Sequence, residues 1–298
     1  MIYYGLDPYH PELLSQIEAT LTEASTKHAQ LSTFVLIDGT FDDDFGMEMW
    51  KKSRSENSEV MSLYDKTVLS ELEECAPFLI AMTAMNLPGV LKSCAGKPML
   101  SILQSPLTIH ALKRHFTPFL QIRTTSDGMC FSLPFSDTIC SEDILYSFDT
   151  AQRTAFCSGF AKWHLINRKG TLTTIDGTCF DAASYLPSAV GESNAIDITD
   201  KQYAWLIDSG EADYILRELA KQPFALPPDQ TPSMLFPSIR TLLLAMDKRD
   251  ITIDDERHVL VAQSLQLPDY FCALDMLDEA QTLGVEAAVK RASLRTLG

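Results

Sequence analysis

No stretch of about 18 or more apolar residues occurs in the chain, the length a membrane-crossing helix needs, and no cationic amino-terminal segment precedes an apolar run. The expectation is a cytoplasmic protein that neither spans a membrane nor is exported. Positive charge is scarce: 24 Lys and Arg stand against 40 Asp and Glu, for a net charge of −16. That balance argues against nucleic-acid binding through broad phosphate neutralisation and favours solubility and a basic protein partner. Cys-x-x-Cys is absent. The seven cysteines, Cys75, Cys94, Cys130, Cys140, Cys157, Cys179 and Cys272, are scattered and odd in number, which speaks against a zinc ribbon or a disulfide scaffold and for reduced, buried thiols.

The signatures of nucleotide and hydrolytic chemistry are missing as well. The one Gly-Lys pair, Gly96-Lys97, is followed by Pro98 where a P-loop needs Ser or Thr, and Leu91 stands where its first Gly belongs. There is no Gly-x-Gly-x-x-Gly, no Gly-x-Ser-x-Gly and no His-Glu-x-x-His. These absences count against an enzyme without abolishing that reading, and no catalytic, cofactor-binding or metal-binding residue is assigned.

What the chain does contain is a buried strand at Phe34-Val35-Leu36-Ile37-Asp38-Gly39. Four large apolar residues stop at a turn, and an acidic run, Asp42-Asp43-Asp44, follows. Helical spacing of Leu13, Leu14, Ile17 and Leu21 predicts a helix from Glu12 to His28 ahead of it, and Asp42 to Ser62 reads as a loop or a partly helical excursion. A short helical pattern lies at Val68–Leu72. Further strands are predicted at Pro77–Met82, Met99–Leu103, Lys162–Ile166 and Thr171–Ile175, with helices at Pro106–Phe116 and from Ser141. Ser126-Asp127-Gly128 between Phe119–Thr124 and Met129–Leu133 is a hairpin signal, because Asp-Gly accepts the positive φ such turns need.

The pattern weakens between Asp176 and Asn194, and no strand is evident beyond. Helices are predicted at Thr199–Lys221, Pro237–Met246, Asp254–Leu265 and Tyr270–Leu294, with Thr199, Asp200 and Asp254 as caps and the Pro-rich stretch Pro223–Pro237 between the first two. The class is α+β: an amino-terminal mixed α/β lobe, residues 1–185, with a mixed central sheet covered by helices, then an all-helical lobe, residues 195–298.

Three residue groups have the types that chemistry uses. Asp38, Asp42, Asp43 and Asp44 could hold Mg²⁺ if they converged, but an acidic run after a strand is more commonly a solvated loop. Cys157 and His164 have the types of a thiol nucleophile and its base, yet the surrounding Phe156, Phe160 and Trp163 favour core. His110 and His115, five apart, do not stack on one helix face and read as a packed side chain and a helix end. Phe116, Phe119, Phe131 and Phe135 are core candidates too.

The order of these features resembles the effector adaptor or chaperone family of bacterial type VI secretion. The resemblance rests on Phe34-Val35-Leu36-Ile37-Asp38-Gly39, then Leu63-Tyr64, then Glu71-Leu72-Glu73-Glu74-Cys75-Ala76-Pro77-Phe78-Leu79, then Leu112-Lys113-Arg114-His115-Phe116 before the Asp127-Gly128 turn. It spans roughly residues 30 to 170. The chain departs from the family after that turn: Cys130-Phe131-Ser132-Leu133-Pro134-Phe135-Ser136-Asp137 lacks both arginines and the Asp-Pro step, the mark of a divergent branch. The resemblance implies a non-enzymatic cytosolic protein, without cofactors, that binds a toxic effector and helps load it onto the trimeric spike protein. The alternatives are a toxin-neutralising immunity protein, and a hydrolase using Asp38 and Asp42 or Cys157 and His164.

Overall fold

The computed structural model describes residues 4–55, 58–84, 86–185, 195–221 and 230–296. Contacts divide the chain into two compact units, Pro8–Ser209 and Met1–Asp7 with Gly210–Gly298. The lobe boundary expected between residues 185 and 195 falls mostly on 186–194, outside the described residues. The unit division lies further along the chain, because a short strand at Ile196–Ile198 pairs back into the first unit.

In the first unit, helix α1 (Leu13–Lys27) leads into β1 (Ser32–Asp38), followed by α2 (Asp43–Ser53), β2 (Val60–Ser62), β3 (Pro77–Ala81), α3 (Leu87–Cys94), β4 (Leu100–Ser105) and α4 (Ile109–Phe116). Then come β5 (Gln121–Thr124), β6 (Cys130–Ser132), α5 (Ser141–Ser147), α6 (Thr150–Cys157), β7 (Lys162–Ile166), β8 (Leu172–Asp176) and β9 (Ile196–Ile198). Six strands form one sheet in the order β2-β3-β1-β4-β7-β8, and β6-β5-β9 form a second, three-stranded sheet.

Every pairing in the larger sheet is antiparallel, so the mixed sheet expected from the sequence is corrected: the one parallel pairing joins β5 to β9 in the smaller sheet. The buried apolar run of β1 gave no direction, because a central strand covered on both faces reads alike in either kind of sheet. Val35, Leu36 and Ile37 are fully buried. Alternation sends Trp163 to one face, where it meets Phe135, Phe156 and Phe160, and His164 to the other. Phe116 and Phe119 join the same aromatic core, while Phe131 is half-buried and stacks on Tyr203 at 4.8 Å between ring centres.

The excursion after β1 is mostly helix. Asp42 caps α2 by accepting from the Phe45 N–H at 3.0 Å, and Asp43 and Asp44 lie in its first turn, where negative charge suits the helix dipole. The hairpin at Asp127-Gly128 forms as expected between β5 and β6. Helix α6 was not anticipated, although Asp149 and Gln152 form a complete capping box at its start. Strand β9 overturns the expectation of no strand after Asp176; three residues are too few to show a period.

Helix α7 (Asp200–Ala220) begins where Thr199 and Gln202 cap it reciprocally. The second unit contains its later residues, then α8 (Pro232–Asp247), α9 (Asp254–Ser264), α10 (Tyr270–Leu283) and α11 (Val285–Thr296). Much of the Pro-rich stretch, residues 222–229, lies outside the described residues. Helix α8 starts with Pro232 in its first turn and carries Pro237 inside, correcting the expected start at Pro237. The helix expected from Tyr270 to Leu294 is broken by Gly284, whose φ of 86° ends α10 and which a side chain would disfavour. Asp254 opens α9 but does not cap it; that place belongs to Ile253. In this unit the buried Arg257 reaches Glu211 at 2.8 Å and Asp247 at 2.6 Å, joining α7, α8 and α9.

The end of β1 is closely packed. Asp38 is 3% exposed and its carboxylate accepts from the Thr40 N–H at 3.0 Å, the Thr40 hydroxyl at 2.5 Å and the Ser136 hydroxyl at 2.6 Å. Removing it leaves buried donors without an acceptor, which costs about 2–4 kcal/mol at a charged site. Asp38→Ala should lower the unfolding free energy by that amount in urea titration, with Asp38→Asn losing less; an unchanged midpoint for Asp38→Ala would show that these bonds contribute nothing.

Candidate functional site

The aspartates that could have gathered around a metal are dispersed. Asp38 spends its carboxylate on Thr40 and Ser136 inside the protein. Asp42 caps α2 and pairs with Lys97, whose ammonium holds the Asp42 carboxyl below the ordinary carboxylate range. Asp43 and Asp44 face solvent. Among the described residues no group of three or more His, Cys, Asp or Glu side chains is placed to hold a metal ion.

The structure does not join Cys157 to His164 either. Cys157 ends α6 with its thiol buried, which pushes its pKa up and disfavours the thiolate a nucleophile needs. His164 Nε2 lies 3.1 Å from Gln104 Oε1 and Nδ1 2.9 Å from the Thr174 hydroxyl. The Gln104 carbonyl oxygen can only accept, so Nε2 carries the proton and Nδ1 accepts from Thr174. His115 is set similarly: Nε2 donates to the Phe156 carbonyl at 2.8 Å, and the Tyr185 hydroxyl lies 3.2 Å from Nδ1. His110 lies in the first turn of α4 and is exposed.

The residues that carry the family resemblance prove to be ties between elements. Glu73, 5% exposed, accepts from the Trp50 indole at 3.0 Å and pairs with Arg54 at 2.7 Å, fastening the turn before β3 to α2. Lys113 donates to both the backbone carbonyl and the carboxylate of Asp65, at 2.7 and 2.8 Å, and so fastens α4 to the segment after Leu63-Tyr64. In the divergent stretch, Ser136 donates to Asp38, and Asp137 accepts from the Ile139 N–H at 3.0 Å.

Two concavities stand out. In the first unit a cleft of about 580 Å³ lies between α1 and the end of the sheet, with Gln104, His164 and Thr174 against Thr20, Glu23 and Lys27. Its charges are matched: Glu23 pairs with Lys27, and Lys162 with Asp176. In the second unit a groove of about 330 Å³ has Ile215, Leu219, Val259 and Val289 in its lining, with Glu218 and His258 among its polar members. Sequence reading missed both. His164 was considered as a base, but Gln104 and Thr174 sit on other strands, and only the sheet register brings the three together.

Fold and site together describe two compact units in which Asp38, Glu73, Lys113 and Arg257 hold elements together. A family described as a domain of unknown function, DUF4123, matches residues 33–155, from the start of β1 into α6. No curated protein and no solved structure matches the chain significantly. No helix among the described residues is long and apolar enough to cross a membrane.

Burial holds both histidines neutral. The pKa of His115 and that of His164 are each pushed down to about 4, mainly by removal from water, with Lys162 adding to the effect at His164. In the unfolded chain each titrates near the ordinary value of about 6.5. The unfolded state therefore binds more protons between those values, and stability is full above about pH 6.5 and falls as the pH drops toward 4. Urea unfolding from pH 7.5 to 4 should show that decline, and His115→Gln should make it shallower by up to one proton; a flat profile would mean that the imidazoles reach water.

Proposed function

We propose that the chain is an adaptor that works by binding: in the cytoplasm it holds a toxic effector and helps load it onto the trimeric spike of a type VI secretion system. The observation that carries this reading is the match over residues 33–155 to DUF4123, a family associated with effector adaptors of that system. The order of landmarks from Asp38-Gly39 through Glu73 to Lys113 supports it, since each landmark fixes the scaffold at a strand or helix end.

The reading needs no catalytic group. Asp38 and Asp42 have separate partners, and both ring nitrogens of His164 are engaged away from Cys157. Binding surfaces, by contrast, are available. The groove on the second unit is concave and mixes apolar with polar side chains in its lining, features that ligand and protein sites share. The net charge of −16 favours encounter with a basic partner.

The experiment is co-purification with the effector and the spike protein encoded beside it, singly and together. A stable binary complex with the effector and a ternary complex with both are expected. Absence of binding in every combination would overturn the adaptor reading, and a complex that neutralises the toxin without permitting its secretion would point to an immunity protein.

A further inference from the structure

The chain passes between its two units at two points only, Asp7-Pro8 and Ser209-Gly210. The second of these lies inside a helix. α7 runs from Asp200 to Ala220, so its earlier residues belong to one unit and its later residues to the other. Each part is fastened within its own unit. Gln202 donates to the Ser147 carbonyl at 2.9 Å and to Gln152 Oε1 at 2.7 Å, and Tyr203 stacks on Phe131. Beyond the division, Glu211 pairs with the buried Arg257, and Ala212, Ile215, Leu216 and Leu219 are buried in the second core.

Between these fastenings the helix is weak. Ile207, Asp208 and Gly210 are exposed. Gly210 has no positive φ, and among the described residues a Cβ there would meet nothing within 4 Å beyond the helix's own backbone, so neither conformation nor packing calls for glycine. Glycine in a helix interior loosens it, by about fivefold in the helical equilibrium of that residue relative to alanine. Ser209 adds to the effect. Its hydroxyl donates to the Leu206 carbonyl at 2.9 Å, and Ser-Gly pairs are places where helices bend.

The other passage is short and fastened on both sides. The Asp7 carboxylate accepts from the Ser233 N–H at 3.0 Å and from the Ser233 hydroxyl at 2.6 Å, at the start of α8, where the Thr231 side chain makes no cap of its own. Just beyond Pro8, the Tyr9 hydroxyl donates to the Cys94 carbonyl at 3.0 Å and the His10 N–H to the Gly170 carbonyl at 2.9 Å. Pro8 has a fixed φ and restricts Asp7 as well, so this passage is a point of attachment rather than a slack tether. Two points of attachment leave two bodies one rotation, about the line through both.

We propose that Ser209-Gly210 is a hinge: α7 bends there, and the two units turn about the single line through Ser209-Gly210 and Asp7-Pro8. This goes beyond the adaptor reading and does not rest on it. In an adaptor whose units hold different partners, such a hinge repositions one partner relative to the other without releasing either.

The test is hydrogen exchange of the full chain, paired with energy transfer between dyes attached through unnatural amino acids at the exposed Lys51 and Arg291, one in each unit. The N–H groups of Gly210, Glu211, Ala212 and Asp213 bond across the hinge to carbonyls one turn back. Their exchange is expected to be at least about fivefold faster than that of Leu216 and Leu219. Gly210→Ala meets open space, so it should slow that exchange by about fivefold and narrow the spread of dye distances. Asp7→Ala releases the second attachment and should widen the spread. Uniform protection along α7 overturns the hinge, as does a spread of distances that Gly210→Ala leaves unchanged. A spread that Asp7→Ala leaves unchanged overturns the single axis. Should Asp7→Ala fail to fold, exchange in the unaltered chain and the distances in Gly210→Ala decide alone.

Discussion

The close approach of backbone at the end of β1 is the constraint on which the first unit depends. Gly39 donates to the Ala76 carbonyl at 3.0 Å, and a Cβ on Gly39 would stand 2.7 Å from that same oxygen. Only glycine admits that distance. One residue earlier, the Asp38 N–H reaches the Met99 carbonyl at 2.9 Å, so the segments entering β3 and β4 are both clamped to one end of β1. The Asp38 carboxylate then closes the turn through Thr40 and reaches across to Ser136. A strand end that began as a candidate active site is the point at which distant stretches of chain are held in register.

That geometry also ties together short, widely separated stretches of the chain. Gly39, Glu73, Lys113 and Ser136 are far apart in sequence, yet each closes a specific joint: β1 to the turn before β3, that turn to α2, α4 to the segment after Tyr64, and the stretch before α5 back to Asp38. A buried polar group without a partner is costly, so each donor demands its acceptor. The surfaces away from these joints are free of that demand, and among them is the groove lined by Ile215 and Val289.

Much of this architecture was legible in the chain. The run Phe34–Ile37, the spacing of Leu13, Ile17 and Leu21, and the Asp127-Gly128 turn each carry a local signal strong enough to define an element. Strand direction was not legible, since burial on both faces does not distinguish parallel from antiparallel neighbours. Nor was β9, whose Ile-Asp-Ile is stabilised by β5 across more than seventy residues of sequence. The cleft was hidden for the same reason: Gln104, His164 and Thr174 look unrelated until the register of β4, β7 and β8 aligns them. The division of the long final helix, by contrast, could have been read from Gly284.

The central claim is that this scaffold acts by carrying another protein to the secretion spike. The most direct measurement is effector release by cells in which the gene for this chain has been deleted, followed alongside release of the spike itself. The account predicts that the effector stays inside the cells while the spike is still released, and that supplying the chain in trans restores delivery. Undiminished effector release without the chain would contradict it.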